Sequence, residues 1–301
     1  MKEASVIITV YNRLDYISDA VNSVINQKGV RREDIEIIIV TNTRFSSPGY
    51  AVDKVIYSED RGVGQKLLEG IKSAQSDVIF FLEDDDIFLE NKLASVLPLF
   101  GEYGVSYVHN AYSRVTKLPP LLVNQDEPNL PTKKINHTWL ESKSSVSFFK
   151  EFWTYAGNMS SIAVRKDGVD LSFLPKIKLF PDIYMFPIAL LLGKDCIHTD
   201  KVLTWMREHE NSITYNLFKP ELYKLYIAEA NSWLEYVSGK SKNLEVQAHG
   251  ILAKRKILTG NGGLNIKDIY YLLLYEMATR MLINDVKSYL LHETGPRKLT
   301  S

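Results

Sequence analysis

Residues 78–86 read VIFFLEDDD, a five-residue apolar run that passes without a break into four carboxylates. A continuous apolar run of this length predicts a short strand buried on both faces. Glu83, Asp84, Asp85 and Asp86 repel one another, so gathering them at a strand end is costly unless cations compensate. Hard oxygen donors of this kind suit Mg²⁺ or Mn²⁺, ions that keep several waters and bridge to substrate phosphates. An acidic turn or a helix N-terminus is the plainer explanation of such a run. The elements on either side favour the ligand reading.

Upstream, strand and helix patterns alternate. Ser5–Val10 is a β-branched run ending at Tyr11-Asn12-Arg13, and Leu14–Gln27 carries Ile17, Ala20, Val21, Val24 and Ile25 at helical spacing. Ile35–Val40 is a second buried strand, Val52–Tyr57 a weaker one, and Val63–Ala74 a helix with Val63, Leu67, Ile71 and Ala74 on one face. Asn91–Phe100 reads as a helix and Val105–Ala111 as a strand. This alternation implies right-handed crossovers and a mainly parallel sheet flanked by helices, in which ligands sit outside the carboxyl ends of the strands. Tyr11-Asn12-Arg13, Thr41-Asn42 and Glu83–Asp86 all fall at such ends. Tyr11 offers a stacking face, Asn12 a donor and an acceptor, and Arg13 a cation matched to phosphate.

Downstream, periodicity fails over Thr116–Thr138, where four prolines punctuate a long loop with the features of a lid. Ser145–Phe149, Ser160–Arg165 and Val202–Arg207 read as strands, and Asp182–Leu192 as a buried helix interrupted by Pro187. After Tyr215 the pattern is helical only, over Pro220–Val237, Leu244–Leu258 and Ile266–Leu291. The expected division is residues 1–214 as an α/β domain and 215–301 as a helical extension. The apolar width of that extension suits packing on the first domain, a homo-oligomer contact, or peripheral attachment to a membrane.

Over 301 residues, 36 basic and 36 acidic residues give zero formal net charge, which removes the usual electrostatic reason for nucleic-acid binding. One cysteine, Cys196, excludes an internal disulfide framework and any multi-cysteine zinc site. The opening MKEASVIITV lacks the apolar core of a signal peptide, and no apolar stretch reaches spanning length, so a cytoplasmic protein is expected.

The segments SVIITVYNR, EDRGVGQKLLEGIKSAQSDVIFFLEDDD, AGNMSSIAVRK, PDIYMFP and MREHENSIT, in this order over residues 4–214, resemble family 2 glycosyltransferases of the Rossmann-like GT-A fold. Thr9, Tyr11 and Asn12 match the family's opening strand end. Gly62, Gly70 and Ile71 keep the register of its Gly-containing segment, with Asp60, Lys66 and Leu68 as departures. The resemblance implies donor contacts from Thr9, Tyr11, Asn12, Arg13, Thr41, Gly62, Glu83 and Asp84. It implies a divalent ion held by Asp85, Asp86 and His209, with Glu83/Asp85 and Asp84/Asp86 both open as the register of the family's Asp-x-Asp pair. Asp182 takes the place of the catalytic base, preceded by Pro181 where the family has Glu, and Gly157 and Asn158 take an acceptor-side position. Thr41-Asn42-Thr43-Arg44 stands where a base-reading Asp is usual, which leaves the nucleobase open.

The implied activity is inverting, metal-dependent transfer of a hexosyl group from a UDP- or GDP-sugar to a hydroxyl of a glycan, a lipid-linked sugar or another acceptor. A base takes the hydroxyl proton as the new bond forms, and a cation compensates charge growing on the departing diphosphate. The rival readings are a sugar-1-phosphate nucleotidyltransferase, for which VYNRLD lacks the Gly-rich loop after the first strand, and a non-catalytic nucleotide-binding or scaffold protein.

Overall fold

The computed structural model describes residues 2–43, 51–60, 62–116, 132–210, 220–260 and 263–279. Strands β1 (Ala4–Val10), β2 (Ile35–Thr41), β3 (Lys54–Tyr57) and β4 (Val78–Glu83) pair in parallel in the spatial order β3-β2-β1-β4. Every side chain of β2 is buried, as its unbroken apolar run requires of a strand covered on both faces. Helices α1 (Ile17–Ile25) and α2 (Val63–Ser73) make the crossovers. The core under α1 joins Val6, Ile8 and Val10 to Ile17, Val21 and Val24, and Phe80 and Leu82 to Leu93 and Phe100.

Beyond β4 the sheet turns mixed, with antiparallel strands added to the parallel ladders that make up most of it. After β5 (Ile87–Phe88), α3 (Lys92–Tyr103) and β6 (Tyr107–Val115), strand β8 (Ile162–Arg165) inserts antiparallel between β4 and β6. The direction follows from its entry point. The turn before it lies at the carboxyl end of β4, where Ser160 Oγ accepts the Glu83 amide at 2.9 Å, so the chain must run back along β4. Strand β9 (Cys196–Arg207) is parallel to β6 and antiparallel to β5 and to β7 (Thr132–Ile135). Part of the expected loop Thr116–Thr138 is therefore the strand β7, and residues 117–131 of that expected lid lie outside the described residues.

Ser145–Phe149 is also corrected, from strand to helix. After the single turn α4 (Trp139–Ser142), α5 (Ser145–Tyr155) buries Phe148, Phe149 and Phe152 at helical spacing, and Ser144 Oγ accepts the Ser147 amide at 3.4 Å as an N-cap. Helix α6 (Pro181–Leu191) is buried over most of its length and starts with Pro at the position where a missing N–H is harmless.

The remaining helices are α7 (Pro220–Val237), α8 (Lys242–Thr259) and α9 (Ile266–Thr279). Contacts divide the chain into residues 1–139 with 154–229, and residues 140–153 with 230 onward. Most of α5 therefore belongs with the C-terminal helices although it lies well before residue 215. Within that second unit, Asn243 Nδ2 donates to the Leu140 and Lys143 carbonyls at 2.7 and 3.0 Å, and the Phe149 and Tyr275 rings meet edge to face at 5.3 Å. No described helix is long and apolar enough to cross a membrane.

Candidate active site

The carboxyl ends of β1, β2 and β4 carry the three polar clusters expected there. Thr9 pairs with Glu83 across β1 and β4, and with Val40 across β1 and β2. Asn12 leaves β1 with φ 54°, a left-handed conformation that Asn tolerates. It does not cap α1, whose N-cap is Tyr16. Instead Asn42 Nδ2 donates to Asn12 Oδ1 at 2.7 Å. Thr41 is buried, and its hydroxyl closes a local turn by accepting the Thr43 amide at 2.9 Å, so Asn42 is the side chain presented at the end of β2. Tyr11 is exposed at 42%, and Lys66 Nζ lies 5.0 Å from its ring centroid. Gly62 caps α2, with its amide donating to Asp60 Oδ1 at 2.6 Å.

The four acids have separate surroundings. Asp84 accepts two bonds from the Arg13 guanidinium, from Nε at 3.2 Å and from Nη2 at 2.7 Å. Burial nevertheless pushes its carboxyl up to about 6. Asp85 also accepts from Arg13, and its Oδ2 lies 2.8 Å from His209 Nε2. Burial acts against its charge, yet the His209 contact and Arg13 hold it below the ordinary range. Asp86 is 1% exposed, and both oxygens are taken up within the protein, Oδ2 by Asn158 Nδ2 at 2.9 Å and Oδ1 by the Arg207 amide at 3.0 Å. Burial and then Asp85 push it up to about 7. Glu83 is raised well above the usual carboxylate range, first by burial and then by Asp86 and Asp85. Among the described residues, no three acids, histidines or cysteines form a ready metal cluster.

Cations surround the run. Arg207 donates from Nε to the Asp85 carbonyl at 3.0 Å and from Nη2 to Asp19 at 2.7 Å, with its guanidinium carbon 4.3 Å from the Tyr16 ring centroid. The Tyr16 ring also lies against His209, centroids 4.9 Å apart. Lys92 is fully buried, donating to the Ser160 carbonyl and, at 2.8 Å, to Thr204 Oγ1. Neither cation was assigned a site role from sequence. An Arg two residues before His209 at a strand end is a readable signal for the first. Lys92, on a helix 112 positions from Thr204, offers none.

Asp182 stands at the first turn of α6, with Oδ2 accepting the Asn158 amide at 3.2 Å and further bonds from its own amide and that of Ile183. Burial is the largest influence and pushes it up to about 6, with Glu229 adding its charge. Glu229, another residue the sequence reading missed, accepts the Lys178 and Leu179 amides at 2.6 and 2.7 Å and the Tyr184 hydroxyl at 3.0 Å, and so fixes the chain entering α6.

Gly157 and Asn158 join these groups. Their φ values are 109° and 56°, and such backbone costs on the order of 1–3 kcal/mol at a non-glycine position. In return Asn158 gives its side-chain amide to Asp86 and its backbone amide to Asp182. One residue thus ties the acidic run to the isolated carboxylate on α6.

Residues 5–149 match the Glycosyl transferase family 2 model. An uncharacterized glycosyltransferase of Rickettsia bellii is 30% identical over 203 residues, 64% of this chain and 25% of that protein. One of Haemophilus influenzae is 21% identical over 233 residues, 74% of this chain and 86% of its own length. The chain spans about a quarter of the first relative's length and 32% of an uncharacterized glycosyltransferase of Nostoc. Staphylococcus aureus TarS 1-349 in complex with UDP-GlcNAc shares the fold, with TM-score 0.58 at 16% identity over 93% of this chain and 82% of that one. The mannosyltransferase PcManGT from Pyrobaculum calidifontis, in complex with GDP-Man and Mn²⁺, does so with TM-score 0.55 at 12% identity over 96% and 80%. Residues 5–149 are thus similar to family 2 glycosyltransferases, and the mixed sheet that continues past them is the fold this chain shares with TarS and PcManGT.

Proposed function

We propose that this chain transfers a glycosyl group from a nucleoside-diphosphate sugar to an acceptor hydroxyl, with inversion at the anomeric carbon. The observation that carries the reading is the pair of bonds from Asn158, which sets the half-buried residue Asp182 beside an acidic run at the sheet's carboxyl edge. In a single displacement the acceptor oxygen bonds to the anomeric carbon, the bond from that carbon to the diphosphate breaks, and the hydroxyl proton passes to Asp182. With its carboxyl near 6, Asp182 is ionised at neutral pH yet basic enough to take the proton. One base and one displacement invert the centre.

A divalent cation fits the donor set. Asp85 and His209 are a carboxylate and an imidazole in contact, and a hard cation with one or two protein ligands completes its shell from water and phosphate oxygens. Bound there, Mg²⁺ or Mn²⁺ supplies charge compensation for the departing diphosphate. Asp86, with both oxygens occupied by protein donors, braces the run rather than binding the ion in this reading. Arg13, which neutralises Asp84 and Asp85, has the geometry to pair with a phosphate. Asn12 and Asn42 present amide edges to a nucleobase, and Tyr11 a ring face.

Calorimetry of UDP and of GDP with and without Mn²⁺ tests the site. Wild type is expected to bind one of them in a Mn²⁺-dependent manner, and Asp85→Ala to lose that dependence while keeping its melting temperature. Unchanged metal-dependent affinity in the variant overturns the assignment of Asp85.

A further inference from the structure

His109 on β6 and His198 on β9 are paired in register, and both are buried. Their rings stack with centroids 5.1 Å apart, and the two Nδ1 atoms face each other at 3.0 Å. At the outer ends, His109 Nε2 lies 2.9 Å from the Gly157 carbonyl oxygen and His198 Nε2 lies 2.9 Å from Asp200 Oδ1.

The protons can be counted. A carbonyl oxygen only accepts, so His109 Nε2 carries a proton. Two imidazole nitrogens at this separation repel if both present lone pairs, so a proton lies between the Nδ1 atoms. A carboxylate only accepts, so with Asp200 engaged His198 Nε2 carries a third. Three protons are one more than two neutral imidazoles hold, and the Asp200 charge balances the excess. Because the inner end is a carbonyl, which passes no proton on, the array is not a relay. What it holds is backbone.

We propose that His109 and His198 share a proton between their facing Nδ1 atoms and, through the Gly157 carbonyl, act as positioning residues for Asn158 and hence for Asp182 and Asp86. The consequence for sugar transfer rests on the function proposed above; the proton count does not. Burial works against the extra proton at both rings, joined by Lys92 facing His109 and Lys133 facing His198. The Gly157 carbonyl and Asp200 work for it, and the Tyr155 ring packs edge-on against His198 at 5.6 Å. The balance lies below the ordinary imidazole value at both rings, at about 3 for His109, so the third proton stays only while Asp200 is engaged. The proton between the Nδ1 atoms and the one on His109 Nε2 belong to the neutral pair as well. The held backbone is the Gly157–Asn158 pair of positive-φ residues, which would relax without an anchor.

Nitrogen-15 histidine NMR of the full chain is the test, with His109→Asn and His109→Gln as variants. The Asn amide stands near the former Nδ1 and cannot reach Gly157, whereas the Gln amide stands near the former Nε2 and can. Wild type is expected to show a strongly downfield proton shared by the two Nδ1 nitrogens, absent from both variants. The Asn158 amide resonance, which reports its bond to Asp182, is expected to move in His109→Asn and to stay near its wild-type position in His109→Gln. Transfer should follow, with kcat down on the order of tenfold in His109→Asn, donor KM unchanged, and most of the loss recovered in His109→Gln. Two unprotonated Nδ1 nitrogens in wild type overturn the shared proton. An unmoved Asn158 amide in His109→Asn, or equal loss in both variants, overturns the positioning role. Absence of transfer in wild type with every sugar nucleotide instead overturns the proposed function and leaves the NMR result standing.

Discussion

At Asp182 the decisive balance is between burial, which disfavours its charge, and three backbone amides that favour it. The outcome, a carboxyl near 6, gives a pH signature. As a base the group acts only when ionised, so kcat is expected to fall with a single-proton limb below about pH 6 and to level above it. Asp182→Asn separates a base from a helix cap. The amide oxygen still accepts the amides at the start of α6, so melting temperature and nucleotide affinity should persist. Transfer should drop by at least about a hundredfold. Near wild-type transfer in the variant would make Asp182 a cap and move the base elsewhere. The position of Asp182 was legible from FPDIYMFP, because a lone acid at the head of an apolar helix stands out. Its partner Asn158 was legible only as a turn residue, since nothing in AGN says that one amide meets Asp86 and the other Asp182.

At the scale of elements, α2 is laid directly on the backbone that leads to α6. The Gly64 amide donates to the Ile177 carbonyl at 3.1 Å, and a Cβ at Gly64 would stand 1.9 Å from the Leu174 carbonyl oxygen. Those atoms are main chain and cannot swing aside. Gly64→Ala is therefore expected to cost at least about 1–3 kcal/mol, read as a lower urea midpoint, and to loosen the approach to Asp182. An unchanged midpoint would show that α2 can shift at no cost. Helix α5 shows how an element is misread. In Ser-Val-Ser-Phe-Phe the first residues alternate as in a strand, but Phe148, Phe149 and Phe152 recur at helical spacing, and they outweigh the alternation because burying three aromatic rings dominates local propensity.

For the molecule as a whole, the site is a store of buried acid. Asp84, Asp86 and Asp182 stand near 6, 7 and 6 in the folded protein, above the value near 3.8 of an unhindered Asp. Between about pH 4 and 7 the folded state holds protons that the unfolded state releases, so these groups contribute stability at low pH that is lost as pH rises through 6–7. A divalent cation on Asp85 and His209 lies beside these acids and favours their ionised forms, so protons on the acids and the cation oppose one another. Saturating Mn²⁺ with nucleotide is thus expected to raise the melting temperature more at about pH 8 than at about pH 5. Equal shifts at the two values would remove the linkage between the acids and the ion.

Reading residues alone sufficed for the parallel half of the sheet, because continuous apolar runs are buried on both faces and alternating helices force parallel crossovers. It also sufficed to put Tyr11-Asn12-Arg13, Thr41-Asn42 and Glu83–Asp86 on one edge. The division of labour among four consecutive acids came from packing: adjacent side chains at a turn point in different directions, so Arg13 takes Asp84, His209 takes Asp85, and Asn158 takes Asp86. The antiparallel entry of β8 and the facing of His109 with His198, 89 positions apart, likewise depend on which strands lie side by side. Such long-range pairings leave no periodic trace in a chain, because periodicity records which face of an element is buried and not what it is buried against.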